Sequence, residues 1–312
     1  EDKEVWEHMT DSPVGIFQFE GQYAFDLLKR YKPTIITHMS IVNASLRPSG
    51  ESYREALISH KPCKNPSPII DELLKDNDGY LIFQEDTIKF LQDICGLSGA
   101  EADNVRRAIG RKQVDRLQAA LPQILDGYCK MSSQPREIAE QEAKQFLQII
   151  EDSASYQFGF NHSTGYSMIG YFCAYLRYYY PTEFVAAYLN NANNEDDIRN
   201  GTGLANQLGV RVRPIQFRHS SAKYTPDKST NTIYKGMSSI KFLNASVSDQ
   251  LYAMRDQTFD SFIDLLNVNP CDTRQTTILI KLRYFSEFGK SQYLLDIYDL
   301  YCKYHGKKII KK

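Results

Sequence analysis

The chain has 312 residues, of which 42% are hydrophobic and 24% are charged, a composition that can bury one large core or two smaller ones. No apolar run approaches the roughly 20 residues that a membrane-spanning helix requires, and the charged start argues against a signal peptide. The formal net charge of −1 argues against a surface that binds nucleic acid everywhere, because phosphate neutralisation requires a basic excess. We therefore expect a cytoplasmic protein without membrane contact, in which any phosphate contacts are local.

The cysteines are far apart in the sequence and form no C-x-x-C pair or cysteine–histidine spacing typical of zinc sites. Buried free thiols in a reducing compartment are the expected state. No metal site and no disulfide framework is predicted. The cysteines are Cys63, Cys95, Cys129, Cys173, Cys271 and Cys302.

Helical periodicity dominates the first two thirds of the chain, where apolar residues recur at spacings of three and four. Ser98 and Glu101 have the spacing of a capping box, and Pro181 is placed to begin another helix. These patterns predict a mainly α fold in this part of the chain. The predicted helical segments are 23–28, 87–94, 116–125, 138–150 and 182–189.

The last third begins differently, since residues 190–200 are rich in Asn, Asp and Glu and predict a surface connection to a short helix ending near Gly209. Short β-type runs then alternate with turn residues and predict a small antiparallel sheet. Helices resume near Ser246, and a turn at 287–290 precedes a final amphipathic helix over 293–304. The fold class is therefore mainly α with a small antiparallel β element in the C-terminal third. The β-type runs are 210–217, 222–225 and 232–234.

Six segments together carry a resemblance to a known family. They are Gly15–Glu20 (GIFQFE), Leu46–Pro48 (LRP), Phe83–Glu85 (FQE), Ala102–Lys112 (ADNVRRAIGRK), Phe160–Ser163 (FNHS) and Tyr180–Ala187 (YPTEFVAA). Their order and spacing resemble the fingers of C-family DNA polymerases, the α subunit of bacterial DNA polymerase III. Weaker similarity at 240–241 and 279–281 extends the resemblance over nearly the whole chain.

The resemblance implies a multi-helical fingers domain. Its core with the nucleotide-facing motifs is expected at 1–190, and its C-terminal part, with the β element and further helices, at 191–312. Residues 234–253 resemble a helix-hairpin-helix, in which glycines let backbone N–H groups approach a DNA phosphate. Phe242 and Asn244 stand in place of those glycines, so close backbone contact with DNA is not expected there.

The arginine-rich segment is the first candidate site. Arg107 and Arg111 are four residues apart and would share one helical face, with Arg106 and Lys112 beside them. Guanidinium groups match phosphate oxygens bidentately and lysine adds a mobile charge, a set that suits a triphosphate. A solvated basic face is the alternative that the residues alone leave open. The resemblance favours the site, because in the family this helix faces the incoming nucleotide.

The second candidate segment begins a long aromatic-rich helix, where free backbone N–H groups can meet an anion. Asn161 and His162 are candidate nucleotide contacts there, and Tyr166 is expected to pack against the nascent base pair. The alternative, that the tyrosines at 166, 171, 175 and 178 form a core stripe, is preferred for the last three. Relative to the family pattern, a Lys and a Ser are missing between Asn161 and His162, which removes a cation.

Arg47 and Gln84 are possible supporting residues. Arg47 precedes a proline-fixed turn at 48–50, which has an equally plausible structural role. Gln84 and Glu85 lie at the start of a predicted helix, where Glu85 and Asp86 also suit the positive end of the helix dipole. A capping role therefore competes with a site role in this segment.

Catalytic carboxylates are not found, because the D-x-D pair of such polymerases is absent and the adjacent Asp196 and Asp197 are interpreted as solvated surface. In the family, the palm precedes the segment at which this chain begins. We therefore expect a fragment that does not polymerise alone and holds no catalytic residue or cofactor. Mg²⁺ is expected in the palm of the intact polymerase.

The predicted function is that of the fingers of a replicative DNA-directed DNA polymerase, which bind the incoming dNTP and help to position template-primer DNA. Expected partners are dNTP, template-primer DNA, the palm and other domains of the same polymerase, and a sliding clamp and other replisome subunits through regions outside this chain. One alternative is a polymerase-derived scaffold that has lost nucleotide binding. Another is a hydrolase with His162 and Ser163 as a pair, although adjacent residues do not align easily for catalysis without a third group.

Overall fold

The computed structural model describes residues 1–47, 51–154 and 157–306. The chain divides into two compact units, Glu1–Tyr175 and Leu176–Lys312. The division that the sequence suggests after residue 190 lies inside unit 2, and it stays a prediction about functional organisation. The proline turn at 48–50 and the basic tail at 307–312 lie outside the described residues.

Unit 1 is helical, as the periodicity predicts. All four predicted helical segments of this unit are confirmed, with residues 87–94 divided between α6 and a π-helical turn, Phe90–Ile94. The α-helices are α1 (Lys3–Met9), α2 (Gln22–Tyr31), α3 (Ile36–Ser45), α4 (Arg54–Ile58), α5 (Pro68–Leu73), α6 (Gln84–Lys89), α7 (Gly99–Gly110), α8 (Val114–Met131), α9 (Arg136–Ser153) and α10 (Phe160–Tyr179), the last of which continues into unit 2.

The predicted capping box at the start of α7 is confirmed in both directions. The Glu101 backbone N–H donates to Ser98 Oγ at 3.4 Å, and the Ser98 N–H donates to Glu101 Oε2 at 2.8 Å. These bonds satisfy two donors that a helix start otherwise leaves unpaired. Helix α7, which carries the arginine segment, therefore begins at a position that its own sequence specifies.

Aromatic rings build the core between α7, α8 and α9. Phe90 packs edge-on against Phe146 with ring centroids 4.8 Å apart, and Tyr128 lies 6.2 Å from Phe90. The Tyr128 hydroxyl lies 2.6 Å from Ser67 Oγ and donates to Glu142 Oε2 at 3.1 Å. Burial raises the pKa of Tyr128 to about 12, so this tyrosine stays a neutral hydrogen-bonding member of the core.

Unit 2 contains six further α-helices among its described residues and a small sheet. The polar connection predicted at 190–200 is shorter than expected, because α12 already begins at Glu195 with Asn194 as its N-cap. Asp196 and Asp197 therefore lie in the first turn of a helix, where acidic residues suit the dipole, and not in a loop. The helices are α11 (Pro181–Asn190), α12 (Glu195–Gln207), α13 (Ala245–Ala253), α14 (Phe262–Val268), α15 (Thr273–Lys281) and α16 (Ser291–Tyr304).

The small sheet of the C-terminal third is confirmed, with strands β1 (Arg211–Arg213), β2 (Thr225–Asp227) and β3 (Thr232–Tyr234) in the order β1-β3-β2. It is mixed rather than wholly antiparallel. Strand β3 pairs antiparallel with β2 and parallel with β1. The parallel pair arises because β1 and β2 lie at opposite edges of the sheet and β3 returns between them, antiparallel to β2, which no local pattern reveals.

The core of unit 2 lies around Phe217, whose ring contacts Phe285 with centroids 5.9 Å apart and Tyr284 at 5.8 Å. Leu251, Leu265 and other side chains of α13 to α16 complete this cluster. None of the helices formed by the described residues is long and apolar enough to cross a membrane.

The first testable consequence concerns Gly127 in α8, which touches the end of the π-helical turn. A Cβ at this position would lie 1.8 Å from the Cys95 carbonyl oxygen, a backbone atom that cannot rotate away. Gly127→Ala is therefore expected to destabilise unit 1 by at least about 3 kcal/mol in urea unfolding, despite the higher helix propensity of alanine. Gly165→Ala in α10 is the matched control, since nothing lies within 4 Å of its Cβ position, and it should stabilise by about 0.5–1 kcal/mol. Equal effects of the two substitutions would contradict the close approach.

The buried carboxyl of Asp86 generates a second testable prediction. Its Oδ2 accepts hydrogen bonds from Asn77 Nδ2 at 2.9 Å and from the Phe83 N–H at 2.9 Å. Burial raises the pKa of Asp86 to about 6. Because the folded state binds this proton more tightly than the unfolded state, the stabilisation is complete below pH 4 and is lost as the pH rises through 6.

Asp86→Asn imitates the protonated carboxyl, so its stability relative to wild type should rise by roughly 2–3 kcal/mol between pH 4 and pH 7. Urea unfolding at several pH values measures this difference. Asp76→Asn, on the exposed surface of the preceding segment, is the control and should stay within about 0.5 kcal/mol of wild type throughout. A pH-independent difference for Asp86→Asn would contradict the raised pKa.

Candidate functional site

A short backbone bridge joins two segments that are far apart in sequence. Residue 83 pairs with residue 158 as in a parallel sheet. The Gln84 N–H donates to the Phe158 carbonyl at 3.0 Å, and the Phe158 N–H donates to the Ile82 carbonyl at 3.2 Å. The Gln84 side-chain amide adds a third bond, from Nε2 to the Gln157 carbonyl at 3.1 Å. The bridge brings the starts of α6 and α10 together.

Two carboxylates next to the bridge cap two different helices. Asp86 accepts from the N–H groups that precede α6. Glu85 instead reaches α10, where its Oε2 accepts from the Phe160 N–H at 2.8 Å. The N-terminus of α10, which the sequence marked as a place for an anion, thus already receives a carboxylate of the protein.

Three arginines line one cavity of about 330 Å³ beside the bridge. Arg106 and Arg107 lie on the last turns of α7, and Arg111 is the residue that ends this helix. Gln157 and apolar side chains of α7 and α9 complete the lining. The structure thus places the three predicted guanidinium groups around a single concavity rather than scattering them over the surface.

Neighbouring side chains hold two of these arginines in place. Arg106 donates to Asp103 Oδ1 from Nη2 at 2.8 Å and to Gln84 Oε1 from Nη1 at 3.0 Å. Arg107 Nε lies 2.8 Å from Asp103 Oδ2. The hydrogen bond from Arg106 lowers the pKa of Asp103 below its usual value, so this carboxylate stays ionised at neutral pH. One negative charge therefore orients two of the three guanidinium groups and leaves a net positive cavity.

Gln157 connects the cavity to the surrounding helices. Its Nε2 donates to Thr87 Oγ1 at 2.9 Å and to Ser153 Oγ at 3.1 Å. Thr87 is fully buried, so these bonds fix the amide in a defined orientation. Both Nε2 hydrogens are used in these bonds, so the fixed amide can offer only its Oε1 oxygen to a donor group of a ligand.

A row of rings lies at the start of α10, formed by two residues of this helix, by Phe158 before it and by Phe17 from the segment between α1 and α2. The rings of Phe158 and His162 meet edge-on at 5.2 Å, and those of His162 and Tyr166 at 4.4 Å. Tyr166 stacks on Phe17 at 5.4 Å with nearly parallel planes, and the Arg47 guanidinium lies 4.8 Å from the Phe158 ring centroid. We call Phe158, His162, Tyr166 and Phe17 the aromatic row. His162 is exposed and Tyr166 half-buried, so the row offers ring surface to a ligand.

Two predicted site residues lie apart from this arrangement. Lys112 lines a different cavity, of about 660 Å³, with Lys144, Glu151 and Asp152. Its φ of 56° and the Lys112 N–H bond to the Ile109 carbonyl at 2.9 Å give it a role in ending α7. Asn161 is exposed on the first turn of α10, and it is not one of the residues that line the arginine cavity.

The aromatic helix contains less of a core stripe than its tyrosines suggested. Tyr171 is buried at 8% exposure, whereas Tyr175 is 37% exposed. Ser163, the proposed nucleophile of the hydrolase alternative, is fully buried and donates from Oγ to the Ser40 carbonyl at 2.6 Å. With its hydroxyl hydrogen used inside the protein, Ser163 is not available to a substrate.

Four residues of the site have no role that the sequence predicts. Asp103 had a local signal, because it lies three and four residues before Arg106 and Arg107. Phe17 lies inside a segment that carries the family resemblance. Gln157 and Phe158 had no such signal, because their contacts form only when the folded chain brings residue 83 next to residue 158. Within the described residues, no group of three or more His, Cys, Asp or Glu side chains is arranged to hold a metal ion.

Two parts of the chain match models of known protein families. Residues 1–132 match the model of the bacterial DNA polymerase III alpha subunit finger domain, and residues 209–295 match a helix-hairpin-helix motif. The second match encloses the segment 234–253 in which the sequence suggested such a motif.

Proteins named DNA polymerase III subunit alpha are similar over most of the chain. The relative from Treponema pallidum is 26% identical over 306 residues, which are 95% of this chain and 26% of the relative. Those from Aquifex aeolicus and Bacillus subtilis are each 28% identical, over 86% and 89% of this chain and 23% and 25% of their own lengths. The chain thus spans about a quarter of the relatives it matches. By these matches, the chain is similar to the finger region of the bacterial DNA polymerase III alpha subunit.

Proposed function

We propose that unit 1 binds the triphosphate of an incoming deoxynucleoside triphosphate in the arginine cavity, as part of a DNA-directed DNA polymerase. The observation that carries this proposal is the convergence of Arg106, Arg107 and Arg111 on one cavity with a single carboxylate between them. A triphosphate carries several negative charges and planar sets of oxygens, which guanidinium groups match bidentately. The family match supports a polymerase role for the region.

The three arginines differ in how firmly they are held, and in this proposal they have different roles in phosphate binding. Arg106, with 22% of its side chain exposed, is held by Asp103 and Gln84 and would contact phosphate with little loss of side-chain entropy. Arg107 and Arg111 are more exposed and would close on the ligand as it enters. Guanidinium donors that are already held in place can stabilise the phosphate charge without reorganisation. In phosphoryl transfer, this is how a protein contributes by positioning the reacting groups.

The aromatic row supplies a second contact for the same ligand. Gln157 lines the cavity, and the next residue, Phe158, begins the row. In this proposal His162 donates to a phosphate and the Tyr166 ring packs against the base, as aromatic faces do for any base. Arg47, which lies over Phe158, adds positive charge at the same end of the row.

The remaining chemistry is assigned to other parts of the polymerase. Two-metal phosphoryl transfer requires carboxylates that hold Mg²⁺, and we propose that the palm supplies them. Template-primer DNA, the palm and other domains of the polymerase are the proposed partners, together with a sliding clamp and other replisome subunits. The chain itself would bind and position without polymerising alone.

A second candidate function is a protein-interaction module that has lost nucleotide binding. It is favoured by Met168, Ile169 and Phe172, which are apolar residues of α10 with exposed fractions of 42%, 47% and 53%. Apolar surface of this kind often marks a contact with another protein segment. Nucleotide affinity separates the two candidates.

Replacing Arg106, Arg107 and Arg111 together by Ala is expected to weaken dNTP binding by at least about 30-fold, because charge-assisted hydrogen bonds to phosphate contribute roughly 1.5–3 kcal/mol each. Calorimetric titration of the 312-residue chain with a dNTP measures this. The matched single substitutions are Arg111→Ala, which should weaken binding, and Arg116→Ala, an exposed arginine outside the cavity lining, which should not.

Unfolding curves of each variant confirm that the fold is retained. Unchanged dNTP affinity in the folded triple variant would contradict the phosphate-binding role and leave the interaction module as the better account.

A further inference from the structure

The hairpin of the helix-hairpin-helix region contains a residue in a strained conformation. The Leu243 N–H donates to the Ile240 carbonyl at 3.0 Å and closes a tight turn whose third residue is Phe242. Phe242 has a φ of 77°, the value that a type II turn requires and that glycine adopts most easily. A bulky side chain in this region is strained, because its Cβ comes too close to the following carbonyl oxygen.

Packing of the core does not account for this phenylalanine. Asn244, which stands at the other expected glycine position, has a clear structural role because its Oδ1 accepts from the Val247 N–H at 2.9 Å and caps α13. Phe242 is instead 41% exposed. An exposed ring kept at a strained position indicates a role outside the fold's own stability.

Two cations surround the Phe242 ring. The Arg274 guanidinium carbon lies 3.3 Å from the ring centroid, and Lys241 Nζ lies 5.2 Å from it. Both residues are exposed, and among the described residues neither has a carboxylate partner within 4 Å. The neighbouring Gln275 donates from Nε2 to the Phe242 carbonyl at 2.9 Å, which fixes the start of α15, and with it Arg274, against the turn.

We propose that Lys241, Phe242 and Arg274 form a binding site for single-stranded nucleic acid. In this site the ring of Phe242 and the plane of the Arg274 guanidinium stack with an unpaired base. Lys241 contacts the adjacent backbone phosphate. The site lies in unit 2 and its existence does not depend on the arginine cavity of unit 1.

The side chains at the turn favour a single strand over a duplex. A glycine-bearing hairpin brings backbone N–H groups close to a duplex phosphate, but here the third turn residue carries a ring. The bases of a duplex are stacked on one another and leave no free face for Phe242, whereas an unpaired base exposes both faces. Aromatic and cationic groups together at an exposed position match this ligand.

The test uses the complete chain and fluorescence anisotropy with two probes, an oligodeoxythymidylate of about 12 nucleotides and a duplex of the same length. Wild type should bind the single strand more tightly than the duplex. Phe242→Gly retains the positive φ of the turn and removes only the ring, so it should stay folded and lose roughly 5- to 100-fold in single-strand affinity. Lys241→Ala should reduce the slope of log affinity against log salt by about 0.7, the value for one phosphate contact.

Tyr304→Ala is the matched control, because Tyr304 is 56% exposed and Lys303 Nζ lies 5.3 Å from its ring centroid in a helix without strain. It should change single-strand affinity by about twofold or less. The proposal is overturned if wild type prefers the duplex, if Phe242→Gly binds the single strand as well as wild type does, or if Tyr304→Ala and Phe242→Gly lose affinity equally. Binding of dNTP in the arginine cavity is measured separately, so failure of one site is distinguishable from failure of the other.

Discussion

The two backbone hydrogen bonds between residues 82–84 and Phe158 hold the candidate site of unit 1 together. Successive residues of extended backbone point to opposite sides. Gln84 accordingly accepts from Arg106, and Gln157 lines the arginine cavity. Phe83, by contrast, packs on Phe160 at the start of α10, and Phe158 begins the aromatic row. Together with the Glu85 cap on α10 and the bonds between Gln157 and Thr87, this bridge fixes the arginines of α7 relative to the aromatic row.

The arginine cavity carries more positive than negative charge. Arg106 and Arg107 share Asp103, which orients them but does not neutralise both. Like charges held close together repel unless an anion joins them. In the proposed function, a bound phosphate chain would relieve this repulsion and so would be favoured over the empty cavity.

The sequence predicts the parts of this fold that depend on near neighbours. Helices α2, α8 and α9 follow from apolar spacing, and the start of α7 follows from Ser98 and Glu101. The start of α12 was missed although Asn194 and the acidic turn after it are a local helix signal.

Contacts between segments that are distant in sequence had no such signal. The parallel pairing of β1 with β3, the capping of α10 by Glu85, and the contacts of Gln157 all join segments that only the folded chain brings together. Lys112 was grouped with the arginines by sequence proximity, but the turn that ends α7 directs it to another cavity.

The central claim is that the three guanidinium groups around the cavity receive the triphosphate of a nucleotide. A crystal structure of the chain with a bound dNTP tests this most directly. The account predicts phosphate oxygens within hydrogen-bonding distance of Arg106, Arg107 and Arg111, with the base towards Tyr166. A triphosphate bound elsewhere, with these arginines still facing only solvent and Asp103, would contradict it.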